Sequence, residues 1–201
     1  MKIAVTGSAG TGKTTLARQL AERLGLPYIP EHFEPFFTTP GNSFKGPPDK
    51  LIRLFHQVLN HKHAEEQNLG NFIVDRCPLD LFNLWLALGL RKKQRRSAQF
   101  YSLCRKYMSA YDAVILTSWG TLPLKPLENP VGQERRADNP WQLLHNHATI
   151  QGLAYSWVPH RRIIQLPEGL AEPDRRLRYI LKRIKLTVQT GAHGDEQDFP
   201  V

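Results

Sequence analysis

The hydrophobic positions of this chain change period repeatedly, from short unbroken runs to stripes at helical spacing and back again. Lys2-Ile3-Ala4-Val5-Thr6 is an apolar run of the kind a buried strand uses. Behind it Leu16, Leu20 and Leu24 recur at helical spacing with Ala17 and Ala21 beside them, and Gly25 offers a C-terminal cap. Pro27-Tyr28-Ile29-Pro30 reads as a short second strand bounded by proline. Between Leu51 and Leu59 the positions 51, 54, 55, 58 and 59 form one helical face, with Arg53, Gln57 and Asn60 off it. Gly70 leads into a third strand at Asn71-Phe72-Ile73-Val74, and Leu79 to Leu90 is apolar almost all round, as a buried helix is. Phe100, Leu103, Cys104 and Tyr107 mark another helix, with Cys104 in its core, before a fourth strand at Ala113-Val114-Ile115-Leu116.

The character then changes. Residues 119 to 140 carry Pro123, Pro126, Pro130 and Pro140, two glycines and the pair Arg135-Arg136, which reads as a mobile loop. A helix from about Trp141 to Trp157 follows, then a strand at Ile163-Ile164-Gln165-Leu166. A last helix starts near Pro173-Asp174, with Leu177, Ile180, Leu181 and Ile184 on one face. Residues 187–201 show no period and read as a loose tail. Strand and helix patterns alternate throughout, which predicts parallel strands joined by crossover helices: an α/β fold with a five-stranded parallel sheet, helices on both faces, and a lid inserted at about 119–140 of one domain spanning 1–186.

Composition narrows the class without changing that picture. At 201 residues and 41% hydrophobic content the chain can bury one sizeable α/β core. No apolar stretch approaches the ~18 residues needed to span a bilayer, and the first residues run straight into functional sequence with no signal or transit peptide. The expectation is a soluble, cytoplasmic protein with no membrane partner. Cys77 and Cys104 give neither a disulfide framework nor zinc spacing and suit a reducing compartment. The histidine pairs His61/His63 and His145/His147 are two apart on helices and point in different directions, so surface histidines are expected and not a metal site.

The formal charge of +9, from 27 Lys+Arg against 18 Asp+Glu, raises the question of nucleic acid. Part of the excess lies in Arg91-Lys92-Lys93-Gln94-Arg95-Arg96, between two helical patterns. A solvated connector is the better supported reading; nucleic-acid binding stays open but requires these residues on one surface.

The chemistry is carried first by Gly7-Ser8-Ala9-Gly10-Thr11-Gly12-Lys13-Thr14, which fits G-x-x-x-x-G-K-[ST] at every defined position. It stands between a strand and a helix, in the required order. Its glycines let the backbone curl so that successive N–H groups point inward at phosphate oxygens, and Thr15 continues the run at the N-terminus of the helix. Lys13 is expected to reach the β and γ phosphates of a nucleoside triphosphate, and the Thr14 hydroxyl to ligate Mg²⁺. A metal so placed needs a carboxylate from a neighbouring strand end. Asp75 stands at one, directly after Phe72-Ile73-Val74, and is the expected metal-side carboxylate, acting directly or through water. Arg76 beside it can pair with phosphate in bidentate fashion.

Asp75-Arg76-Cys77-Pro78-Leu79-Asp80, together with the N-terminal loop, resembles the P-loop kinase/ATPase family, in particular the kinases that include the nicotinamide riboside kinase domain of bacterial NadR, with deoxynucleoside and thymidylate kinases as more distant relatives. Arg136 through Leu166-Pro167-Glu168-Gly169 echoes the lid, helix, strand and Leu-Pro-x-Gly turn of that group. The resemblance implies the three-layer P-loop NTPase fold, ATP and Mg²⁺ as cofactors, and a small-molecule phosphate acceptor. It implies an acidic residue after the second strand that orients the acceptor hydroxyl, a position matched by Glu31 with Glu34 in reserve. Phe33, Phe36 and Phe37 then become either core plugs or a platform for a base, and Gln57 a possible base partner. Arg135 and Arg136 are the lid candidates for charge over the moving phosphate. Pro130-Val131-Gly132-Gln133-Glu134 lacks the aspartate often found before the lid glycine, which bears on acceptor identity. Three functions stay open: a Mg-ATP-dependent kinase for a nucleoside, nucleotide or nicotinamide riboside-like acceptor; a regulatory ATPase or GTP-binding switch; and a kinase or binder of nucleic-acid ends. The oligomeric state also stays open, a homodimer among the options.

Overall fold

The computed structural model describes residues 1–31, 33, 47–122 and 139–191. Among them a parallel sheet is built from β1 (Lys2–Thr6), β2 (Tyr28–Ile29), β3 (Phe72–Asp75), β4 (Ala113–Leu116) and β5 (Ile163–Gln165), in the order β2-β3-β1-β4-β5. Register places Val5 opposite Asp75 on one side of β1 and Ile115 on the other. The helices are α1 (Lys13–Leu24), α2 (Pro48–Leu69), α3 (Pro78–Ala87), α4 (Gln94–Met108), α5 (Pro140–Trp157) and α6 (Pro173–Gly191).

The central strands β3 and β4 are buried at every position, as their unbroken apolar sequence requires of parallel strands covered on both faces. Alternate residues then sort into two cores. Ala4, Ile29, Val74 and Val114 face a layer formed by α2 to α5, where Phe55, Trp85 and Phe100 pack and the Trp85 and Phe100 rings stack at 4.4 Å. Ile3, Val5, Ile73, Ile115 and Ile164 face α1 and α6, meeting Leu16, Leu20, Ile180 and Ile184. Each such side chain taken from water stabilises the fold by roughly 1.5–3 kcal/mol. The result is the three-layer P-loop NTPase fold, with all strand ends that matter to a ligand on one edge. Among the described residues no helix is long and apolar enough to cross a membrane.

Local chemistry ends each element where the apolar pattern stops. α1 closes in a Schellman turn: Leu26 N–H donates to the Ala21 carbonyl at 3.0 Å and Gly25 N–H to Glu22 at 3.3 Å, with Gly25 left-handed. α3 opens on Cys77, and the Asp80 carboxylate reaches back to the Cys77 N–H at 3.0 Å while Pro78 occupies a first-turn position that needs no donor. Three readings of the sequence are extended. α2 continues ten residues beyond Leu59, α6 continues to Gly191 inside the stretch that shows no period, and the apolar run to Leu90 breaks after Ala87 into a short 3₁₀ turn at Leu90–Lys92. Of the lid expected at about 119–140, residues 123–138 with Arg135 and Arg136 lie outside the described residues, as do Glu34, Phe36 and Phe37 at 34–46 and residues 192–201.

Candidate active site

The glycine loop joins the end of β1 to the start of α1, and two of its glycines are fixed by what lies against them. Gly7 has φ +138, and a Cβ there would stand 2.2 Å from Thr117 Oγ1 at the end of β4. Gly12, with φ +76, would press a Cβ to 2.9 Å from Nη1 of Arg176 on α6. Only glycine permits both the turn and these approaches. The loop is braced from the same side. Thr11 Oγ1 donates to the Ser8 carbonyl at 2.9 Å and lies 2.6 Å from Thr117 Oγ1, and Arg176 Nη2 donates to the Thr11 carbonyl at 2.8 Å.

Lys13 is turned back into this loop. Its ammonium donates to the Ser8 carbonyl at 2.6 Å and is almost fully buried. Burial, followed by the charge of Arg76, lowers its pKa to about 7. Thr14 and Thr15 lie exposed at the N-terminus of α1, where unpaired backbone N–H groups and the helix dipole favour an anion.

Asp75 faces them from the end of β3. Its Oδ2 accepts from Thr14 Oγ1 at 2.5 Å and lies 3.5 Å from the Tyr28 hydroxyl, whose pKa is raised by burial and then by this carboxylate. Asp75 Oδ1 is buried with no hydrogen-bond partner. A hydroxyl and a carboxylate in contact, with one carboxylate oxygen unsatisfied, fit a hard divalent cation whose remaining ligands are phosphate oxygens and water.

Arg76 is the one non-glycine residue among those described with positive φ, at 64°. That left-handed turn carries the backbone from the end of β3 into the Cys77 cap, and it costs energy that the surrounding bonds must offset. Three contacts do so: Arg76 N–H donates to the Val5 carbonyl at 2.9 Å, Nη1 reaches Asp80 Oδ1 at 3.2 Å, and Nε lies 2.9 Å from Glu31 Oε1. Burial alone would lower the arginine's pKa, but Glu31, Asp80 and Asp75 together hold it above its ordinary value. Asp80 in turn accepts from Thr6 Oγ1 at 2.7 Å, which ties the arginine's anchor to the end of β1.

The structure therefore brings together the loop from Gly7 to Thr15, Asp75, Arg76 and Glu31. It separates other candidates from them. Phe33 is buried in the core layer under α2 and is a plug, not a platform for a base, and Gln57 is exposed on α2. His63 is half-buried with its ring stacked 3.7 Å from Tyr107, and His147 is half-buried, so surface histidines is too simple a description of either.

Three residues at the site were not anticipated. Thr117 is an ordinary residue after an apolar strand and carries no signal. Lys62 and Arg176 do carry one. Each continues an apolar stripe at a step of four, after Val58 and before Ile180 respectively, and a cation on such a stripe is a buried cation.

A family model described as AAA domain matches residues 2–159. No curated protein matches. Among solved structures that resemble the chain is NadR in complex with NR, at 16% identity and a TM-score of 0.62, covering 98% of this chain and 54% of that one. A deoxyadenosine kinase from M. mycoides with dCMP bound is similar at 17% identity and 0.62, covering 92% and 99%. Thymidylate kinase from Candida albicans is similar at 16% and 0.60, covering 93% and 92%. The chain spans about half the length of NadR.

Proposed function

The chain belongs to the AAA-domain family, and from that premise we propose that it is a Mg-ATP-dependent phosphotransferase, moving the γ-phosphate to a small nucleoside, nucleotide or nicotinamide riboside-like acceptor. The observation that carries this reading is the Glu31–Arg76 pair, 2.9 Å apart, at the strand ends beside the Thr14–Asp75 contact. A carboxylate and an arginine fixed to each other at the strand ends beside the phosphate site suit the alignment of a second substrate, which a switch that only hydrolyses nucleotide does not bind. Two of the three structures named above, similar in fold, hold NR or dCMP, which supports the same class of acceptor.

On this reading the loop N–H groups and the start of α1 bind the phosphates, and Lys13 leaves the Ser8 carbonyl to meet them. Thr14 and Asp75 would hold Mg²⁺, whose contribution is to neutralise charge on the phosphates. The acceptor hydroxyl donates a hydrogen bond to Glu31, which aligns it for in-line attack and takes its proton as the oxygen bonds to the γ-phosphorus and the bond to the leaving ADP oxygen breaks. Arg76 keeps Glu31 in place and offers its remaining N–H groups to developing negative charge. Arg135 and Arg136 would add charge from the lid.

The test is ADP release with Mg-ATP against a panel of nucleosides, nucleotides and nicotinamide riboside. Stimulation by at least one acceptor is expected, with phosphate recovered on it. Equal ADP release with and without every acceptor would leave a regulatory ATPase as the better account. Glu31→Gln should keep ATP affinity and lower transfer ~10²- to 10⁴-fold.

A further inference from the structure

Among the described residues Lys62 is the most deeply buried lysine, 3% exposed, and nothing in the proposed reaction uses it. It lies on the buried face of α2, where leucine or methionine would extend the stripe of Phe55, Val58 and Leu59 without the cost of burying an ammonium. Its bonds explain its presence. Nζ donates to the Pro30 carbonyl and to the Asp75 carbonyl, both at 3.4 Å, and lies 5.6 Å from the ring centre of Phe33.

Those three contacts bracket the reacting side. Pro30 and Phe33 flank Glu31 on either side, and Asp75 directly precedes Arg76. One ammonium thus grips the exit of β2 and the exit of β3, the two backbone segments whose next residues form the Glu31–Arg76 pair. We propose that Lys62 is a positioning residue that sets the distance between Glu31 and Arg76, and through it the orientation of the acceptor hydroxyl. The inference rests on the kinase reading and deepens it on the acceptor side.

Burial lowers the Lys62 pKa, while the charges of Glu66 and Glu65 on α2 and Asp75 on β3 act against that loss. Glu66 is itself held by the Tyr111 hydroxyl at 2.7 Å, so the counter-charge does not wander. A lysine serving only to neutralise Glu66 would have no reason to reach both strand exits.

The experiment is a double-mutant cycle of Lys62→Met and Glu31→Gln, reading kcat, acceptor KM and nucleotide Kd. Lys62→Met should lower kcat on the order of 10²-fold, the scale expected when reacting groups are misplaced by about 1 Å. It should leave nucleotide Kd within about twofold of the unsubstituted chain, and in the Glu31→Gln background it should add almost nothing to the loss. A folded Lys62→Met with unchanged kcat, or with the same fold-loss in both backgrounds, overturns the assignment. Should Lys62→Met fail to fold, Lys62→Gln, which keeps an N–H donor at that depth, serves the same cycle: a loss that vanishes beside Glu31→Gln supports the role, and one that persists undiminished overturns it. An unsubstituted chain that phosphorylates no acceptor overturns the kinase reading and this assignment together; an active chain indifferent to both Lys62 variants overturns the assignment alone.

Discussion

An ammonium sunk against a backbone carbonyl gains little from its charge until an anion arrives. Lys13 is in that state, bonded to the Ser8 carbonyl and brought to a pKa of about 7 by burial and by Arg76. At pH 8 it is mostly neutral in the empty loop, and a triphosphate restores the charge. Nucleotide binding at pH 8 should therefore take up close to one proton, and at pH 6 very little. Calorimetry in buffers of different ionisation heat measures this, and Lys13→Ala should abolish the uptake. The sign for stability follows from the same shift. The folded pKa lies below the unfolded value of 10.5, so between them the unfolded chain binds more protons, and the nucleotide-free protein gains stability as pH rises from about 7 towards 10. At this scale the sequence was legible for position: Gly12 and Lys13 stand in the turn into α1 and Asp75 at the end of β3, where the patterns around them put them. It was illegible where the role depends on an angle between elements, as with Thr117, which meets Gly7 only because β4 lies beside β1.

Strands that consist of unbroken apolar runs were readable to within a residue, since a strand buried on both faces tolerates nothing else. Helices whose buried face turns polar were not. α2 was readable to Leu59 because its later inward positions are Lys62 and Glu66, and α6 hid its first inward residue, Arg176, among four nearby charges. Arg176 has the firmer consequence. Its guanidinium joins the last helix to the Thr11 carbonyl, over a glycine that leaves it just enough room. Arg176→Met should lower stability to urea by about 1–3 kcal/mol, because a buried carbonyl loses its charged donor. Gly12→Ala should weaken nucleotide binding by more than tenfold, measured by fluorescence titration, because both the left-handed turn and the arginine resist the added carbon.

For the whole molecule, the excess positive charge divides between the site and the surface. Arg91, Lys92, Lys93, Arg95 and Arg96 are exposed at the entry to α4, and Arg95, Gln99, Ser102 and Lys106 border a shallow groove along that helix. Arg91 and Lys92 lie in the 3₁₀ turn and Arg95 and Arg96 in the first turn of α4, so the expected connector is a solvated helix entry. Arg95→Gln with Arg96→Gln should leave acceptor-dependent turnover unchanged at 50 and 200 mM salt; a loss of activity at low salt alone would point to a polyanionic acceptor steered by this surface.

The strand order has a consequence for how such a protein can change over time. β1, β4 and α6 brace the phosphate loop, while β2, β3 and α2 carry Glu31, Arg76 and Lys62, and the two halves meet along the β1–β3 seam where Thr6 and the Arg76 N–H cross over. Sequence drift on the β2 side, with Asp75 held because it meets Thr14 of the phosphate loop, can therefore explore new acceptors while the grip on the nucleotide is inherited intact. The seam marks where a lineage could diversify in substrate and still keep its chemistry.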